Sequence, residues 1–218
     1  MKKYKILKDE KLEIYGRTLF RIQAKKNFSD VKKGDKGGWI EKEENLSQEG
    51  NCWVYDNGKV SGNGKVYGNG IVSDFGKVYE NGEVFGNGEV SGNGRVFDNG
   101  KVFGKGKVFG KGQVSGNGRV FDNGKVFEKG EVYGNGRVSG NGEVSGNGKV
   151  SGNGIVSGNG IVFENGIVFD NGKVSGNGKV FSNMWVSFGN FSEFSDGKFD
   201  LKNENYIFCS VGEKFENE

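Results

Sequence analysis

A valine recurs every six residues from Val54 to Val186, 23 times with no missed position. A fixed period over that length is the signature of a chain that coils on itself, because each unit buries its apolar side chain only against its neighbours. Between the valines the pattern reads Ser, Phe or Tyr, then Gly, Asp or Glu, then usually Asn, then Gly, then usually a charged residue, as in KVSGNG, RVFDNG and EVYGNG. The residue after valine is Ser ten times and Phe or Tyr thirteen times. An interior of constant cross-section cannot absorb that difference in size, so valine points inward and its follower outward. Gly inward, charge outward, valine inward and aromatic outward make a short strand of period two. Each strand ends at Asn-Gly, where Asn tolerates left-handed backbone and Gly leaves room for a tight corner.

Composition makes any other class difficult. Only 33% of the 218 residues are hydrophobic and 42 are glycine, which without a period would indicate disorder. A stack of Asn-Gly hairpins is the competing arrangement. Four residues between turns make poor hairpin arms, and an unbroken spacing favours a screw over a meander.

These residues resemble the hexapeptide-repeat family, whose members form left-handed parallel β-helices with an aliphatic residue at one position and a small residue four later. Val54 with Gly58, Val60 with Gly64 and their successors fit that rule. The resemblance implies the left hand and three strands per 18-residue coil; 23 hexads then give about seven to eight coils and a rod about 37 Å long. Gly in place of the family's usual Ala, Ser or Thr thins the interior, and aromatics at the second position are a further departure. The segment from Tyr4 to Tyr55, with GRTLFRIQA, GDKGGWIEKEENLSQEG and NCWVYDNGKV, is similar to the N-terminal region of uncharacterised solenoid proteins of bacteriophages and prophages.

The expected architecture is therefore all-β: one parallel β-helix over residues 53–186, an N-terminal cap over 1–52 and a C-terminal cap of short strands over 187–218. Caps are needed because both ends of a solenoid expose unpaired strand edges. No apolar run suits a signal peptide or a membrane helix, which sets a cytoplasmic expectation, in the host cell if the chain is phage-encoded. Cys52 and Cys209 lie at opposite ends of the repeat, too far apart for a disulfide in a straight rod.

The chain has no histidine. Neither a histidine base nor a histidine-held zinc can be assembled, so the acyltransferase and carbonic anhydrase activities of the hexapeptide family are set aside, and no cofactor, metal or catalytic residue is expected. Asp98, Asp122, Glu128, Glu164 and Asp170 share the third hexad position, where a solvated charge ladder is expected over an acid and base pair.

What remains is surface. At 18 residues per coil Tyr67, Phe85, Phe103 and Phe121 stack, and Lys107, Phe109 and Lys111 lie beneath Lys125, Phe127 and Lys129. From Lys101 to Lys129 there are seven basic residues against Asp122 and Glu128, although the net charge of the chain is only +3. Lys101, Phe103, Lys105, Lys107, Phe109, Lys111, Arg119, Phe121, Lys125, Phe127 and Lys129 thus form a candidate partner-binding strip, with basic groups and rings of the kind that suit a phosphate backbone or an acidic groove. Ile161, Phe163, Ile167, Phe169 and Trp185 form a candidate apolar association patch, toward a second copy or the C-terminal segment. These features set the expectation of a non-catalytic, phage-associated interaction protein. Its expected partner is a host protein or ribonucleoprotein of a nucleic-acid-dependent defence such as a CRISPR system. A structural or polymer-forming solenoid is the alternative, and an enzyme is ranked last.

Overall fold

The computed structural model describes residues 2–182 and 184–192. The expected C-terminal strands over 193–218, and Cys209 with them, lie outside the described residues.

The repeat folds as a parallel β-solenoid with three strands per 18-residue coil. Each hexad contributes a two-residue strand, such as Lys101–Val102, whose second residue is the inward valine. The strands stack in three parallel sheets, each pairing a residue with those 18 before and after it, as in Lys101 with Glu83 and Arg119. Sheet I begins with Trp53–Val54, sheet II carries Lys59–Val60, and sheet III begins with Lys65–Val66. Among the described residues sheets I and III each have eight strands and sheet II has eleven.

All the repeat valines are buried, with at most 1% of their surface exposed. Each coil is tied to the next by backbone bonds such as Lys101 N–H to Gly118 O (2.9 Å), Phe103 N–H to Val120 O (3.0 Å) and Lys105 N–H to Asp122 O (2.7 Å). A tight turn closes each hexad, as where Gly106 N–H donates to Phe103 O at 2.9 Å.

Two details of the corner differ from the expectation. The left-handed residue is not Asn but the one before it, for example Gly104 at φ 63°, Asp98 at 50° and Glu128 at 53°. Asn instead builds amide ladders: the Asn63, Asn81, Asn99, Asn117, Asn135, Asn153 and Asn171 side chains bond in one continuous file. The inward glycines do not thin the core either. A Cβ on Gly106 would lie 2.5 Å from Val120 O, so the carbonyl of the following coil already fills that space.

At the N-terminal end the first coil has no preceding coil to pair with, which leaves a sheet edge of backbone groups to be covered. Residues before the repeat cover them. Strand β3 (Lys36–Ile40) pairs in parallel with Lys59–Val60, and β2 (Arg17–Ala24) and β1 (Tyr4–Ile14) continue sheet II as an antiparallel hairpin. Asn45 Nδ2 donates to Gly62 O and Gly64 O. Lys3, 1% exposed, points its amine at Glu49 O, Gly50 O, Cys52 O and Cys52 Sγ, the last at 3.1 Å. These acceptors satisfy the three N–H donors of the buried amine. Burial holds the Lys3 amine below the usual lysine range and pushes the free Cys52 thiol up.

The Tyr4 hydroxyl donates to Leu46 O (2.7 Å), with Glu43 O at 3.0 Å. Burial, then the nearby Glu43 carboxylate, pushes Tyr4 well above the ordinary phenol range. Burial and Asp30 do the same at Tyr55. The cap therefore requires protonated tyrosines. A folded value above the unfolded one contributes stability that is full below pH 10.0, the unfolded value, and is lost as pH rises toward the folded value. Lys3 has the opposite sign, since its folded value lies below 10.5, and its relief ends once the unfolded lysine deprotonates. Alkaline loss of the cap is expected to begin above pH 10. Tyr4→Phe should cost about 1–2 kcal/mol at pH 7, from the unmet carbonyls, yet lose less stability than the native chain on going to pH 12. Thermal melts followed by circular dichroism across that range would check both.

Among the described residues no helix is long and apolar enough to cross a membrane.

Candidate functional site

Columns of residues 18 apart decide which charges remain uncompensated. In sheet I Lys107 pairs with Glu89 (2.7 Å) and Lys125 with Glu143 (2.9 Å); in sheet III Lys101 pairs with Glu83 (3.3 Å). Three cations of the expected strip thus carry carboxylate partners that lie outside the 101–129 window. The strip is also divided by the fold. Lys101 and Arg119 lie in sheet III, and Lys107 and Lys125 in sheet I. Phe103 and Phe121 stack at 5.0 Å on the corner between sheets III and I, the corner that also holds Lys105. Phe109 and Phe127 stack at 4.9 Å on the corner between sheets I and II, beside Lys111 and Lys129.

The apolar residues divide as well. Ile161 stands in sheet I between Glu143 and Lys179, and Phe163 stacks on Phe181 at 5.3 Å. Ile167 pairs with Trp185 in sheet II, where the Phe169 and Trp185 rings are 5.7 Å apart.

The corner carboxylates do backbone work. Asp98 accepts from Gly116 N–H (3.1 Å), Glu128 from Gly146 N–H (2.8 Å) and Glu164 from Ser182 N–H (3.1 Å). Each serves an amide one coil away.

Sheet II is different. Its outward column reads Lys59, Lys77, Arg95, Gln113, Glu131, Lys149, Ile167, and the pair there is Lys149 with Glu131 at 3.5 Å. On the adjoining corner the Asn file is interrupted at Lys111 and Lys129, which stand between Asn93 and Asn147. Together these two columns line a groove of about 650 Å³ that runs along the rod over five coils, from Asn93 and Arg95 to Asn165 and Ile167. Four cations, Arg95, Lys111, Lys129 and Lys149, line it with one carboxylate, Glu131. Such a volume is that of a small-molecule site. Chemically, the groove can hold an anionic ligand along its length and offers one carboxylate to accept a proton. Lys111 and Lys129 belong to the expected strip; Arg95, Glu131 and Lys149 do not, and reading the sequence in columns of 18 would have found them.

No family model matches the chain. A stretch of 68 residues is 37% identical to the uncharacterised acetyltransferase YdcK of Escherichia coli, covering 28% of this chain and 21% of that protein. The chain thus matches about a fifth of the length of that relative. The hexapeptide-repeat character of the fold accords with this similarity. The phage-borne inhibitor of a host defence, and with it the non-catalytic assignment, are corrected: the relative is named as an enzyme that transfers acetyl groups. Absence of histidine removes one base, whereas Glu, Asp, Lys and Tyr serve as general bases elsewhere.

Proposed function

We propose that the chain is an acetyltransferase-like hexapeptide-repeat protein whose groove along sheet II brings an acetyl donor and an acceptor together. The similarity to an acetyltransferase carries this reading; the groove supplies the place. In the transfer, the lone pair of an acceptor amine or hydroxyl attacks the acetyl carbonyl carbon of a thioester. The acceptor proton passes to the Glu131 carboxylate, the carbon–sulfur bond breaks, and the thiolate leaves, to be protonated in turn. Lys149, 3.5 Å from Glu131, orients the carboxylate. Lys111 and Lys129 on the opposite wall offer positive charge to the carbonyl oxygen as it becomes negative, the role that preorganised donors play in acyl transfer.

The test is release of free thiol from acetyl-coenzyme A in the presence of a panel of amine and hydroxyl acceptors. Thiol release that depends on an acceptor is expected, and Glu131→Gln should lower its rate about 100-fold or more, the usual effect of removing a general base, with the melting temperature unchanged. Glu131→Asp should recover part of the rate. Absence of acceptor-dependent release across the panel, or a Glu131→Gln variant as active as the native chain, would overturn the reading.

A further inference from the structure

A second concavity opens on sheet II toward the N-terminal end. There the tip of the β1–β2 hairpin, Ile14 to Arg17, stands against the first coils and encloses a cleft of about 370 Å³ with Lys59, Ser61, Lys77, Tyr79, Glu80 and Arg95. Its floor is the column Lys59, Lys77, Arg95, stacked in register one strand spacing apart. Among the described residues none of the three has an ion-pair partner, unlike Lys101, Lys107, Lys125 and Lys149 in the other columns. Lys59 bonds only to a carbonyl, Asn57 O, at 2.8 Å. The one carboxylate in the lining, Glu80, is engaged by Asp98 N–H at 3.0 Å. Arg17 at the rim is held by both oxygens of Glu41 at 3.0 Å.

Three like charges in adjacent strands repel, and a walled cleft weakens the screening that water would provide. Burial first, then the neighbouring Lys77 charge, holds the Lys59 amine below its usual range. The hairpin tip adds an independent oddity. Tyr15 adopts φ 48° and is 91% exposed, although a large side chain is costly in the left-handed region and an isolated ring gains nothing from water. Tyr15 and Tyr79 place ring surface beside the charges.

We propose that this cleft is a binding site for a small organic diphosphate, its phosphates on Lys59, Lys77 and Arg95 and its organic portion against Tyr15 and Tyr79. Two linked phosphates match three cations in charge and reach across adjacent strands, whereas a lone carboxylate would leave two cations unmet. The site shares Arg95 with the groove but does not depend on acetyl transfer: it uses neither Glu131 nor an acetyl donor, so it can stand or fall separately.

Calorimetric titration of the full chain at low salt with inorganic pyrophosphate and with inorganic phosphate tests it. Pyrophosphate is expected to bind at least tenfold more tightly than phosphate. Lys77→Gln should weaken pyrophosphate at least tenfold, and glutamine is already accommodated in this column at Gln113. Lys125→Gln, at an ion-paired position of sheet I, should leave the affinity unchanged. Failure of pyrophosphate to bind, or equal losses in the two variants, would overturn the proposal.

Discussion

Gly106→Ala is expected to destabilise the rod by about 3–5 kcal/mol, the sum of overpacking a closed interior and loosening an inter-coil hydrogen bond. The added methyl would lie 2.5 Å from Val120 O, 2.8 Å from Val120 C and 3.0 Å from Phe103 O. All three are backbone atoms, so no side chain can rotate away to admit it. The coils could part only by lengthening Phe103 N–H to Val120 O (3.0 Å), and the neighbouring Lys101 to Gly118 and Lys107 to Gly124 bonds resist that shift. Gly16→Ala is the matched control. Gly16 has φ 72° and nothing within 4 Å of the added carbon, so that change should cost only about 1–2 kcal/mol for the left-handed backbone. Thermal and denaturant melts of the two variants would separate the effects, and losses of equal size would mean that steric closure of the coil is not what requires glycine.

That closure was not legible in the sequence, and the reason is physical. Inward orientation of Gly106 follows from its place two residues before the inward Val108, but how near Val120 O approaches depends on the spacing of the coils. The valine column was readable from its period alone, and the three strands per coil, with the aromatic stacks of Phe85 on Phe103 and Phe103 on Phe121 that follow from 18 residues a coil, from the resemblance to hexapeptide-repeat proteins. The cap was not. Residues 1–52 carry no repeat, and the work of Lys3 depends on where the turn from Glu49 to Cys52 places its carbonyls. Nothing in a lone Tyr-Gly pair at 15 and 16 says that a hairpin tip will stand beside Lys77 and Arg95. The groove was half legible: Lys111 and Lys129 were read as members of the basic strip. Counting charge along the chain from 101 to 129 nevertheless hid both the partners Glu83, Glu89 and Glu143 and the column Lys59, Lys77, Arg95. In a solenoid a charge is balanced by residues 18 away, so the column rather than the segment is the unit of electrostatics.

Val120→Asp is expected to cost about 4 kcal/mol or more, from desolvation of a carboxylate without a partner, whereas Phe121→Ser should cost about 1 kcal/mol, one aromatic stack. Val120 is fully buried between Val102 and Val138, and the amide groups around it are already committed to the inter-coil ladder. An aspartate there finds apolar methyls and carbonyl oxygens. It must either remain charged in a medium that cannot solvate it or take up a proton, and the second route makes the penalty smaller at low pH. Because each coil contacts only its neighbours, the damage should divide the rod into two weakly coupled halves rather than lower every coil equally. Phe121 looks outward and stacks on Phe103 at 5.0 Å, and the next residue in its column is already Ser139. Its replacement removes ring contact and leaves the valines and the backbone ladder in place. Melting curves should therefore show one slightly lowered transition for Phe121→Ser and an early, broadened or divided transition for Val120→Asp, with new protease cleavage near residue 120. Equal losses from the two changes would reverse the assignment of inside and outside on which the whole coil is built.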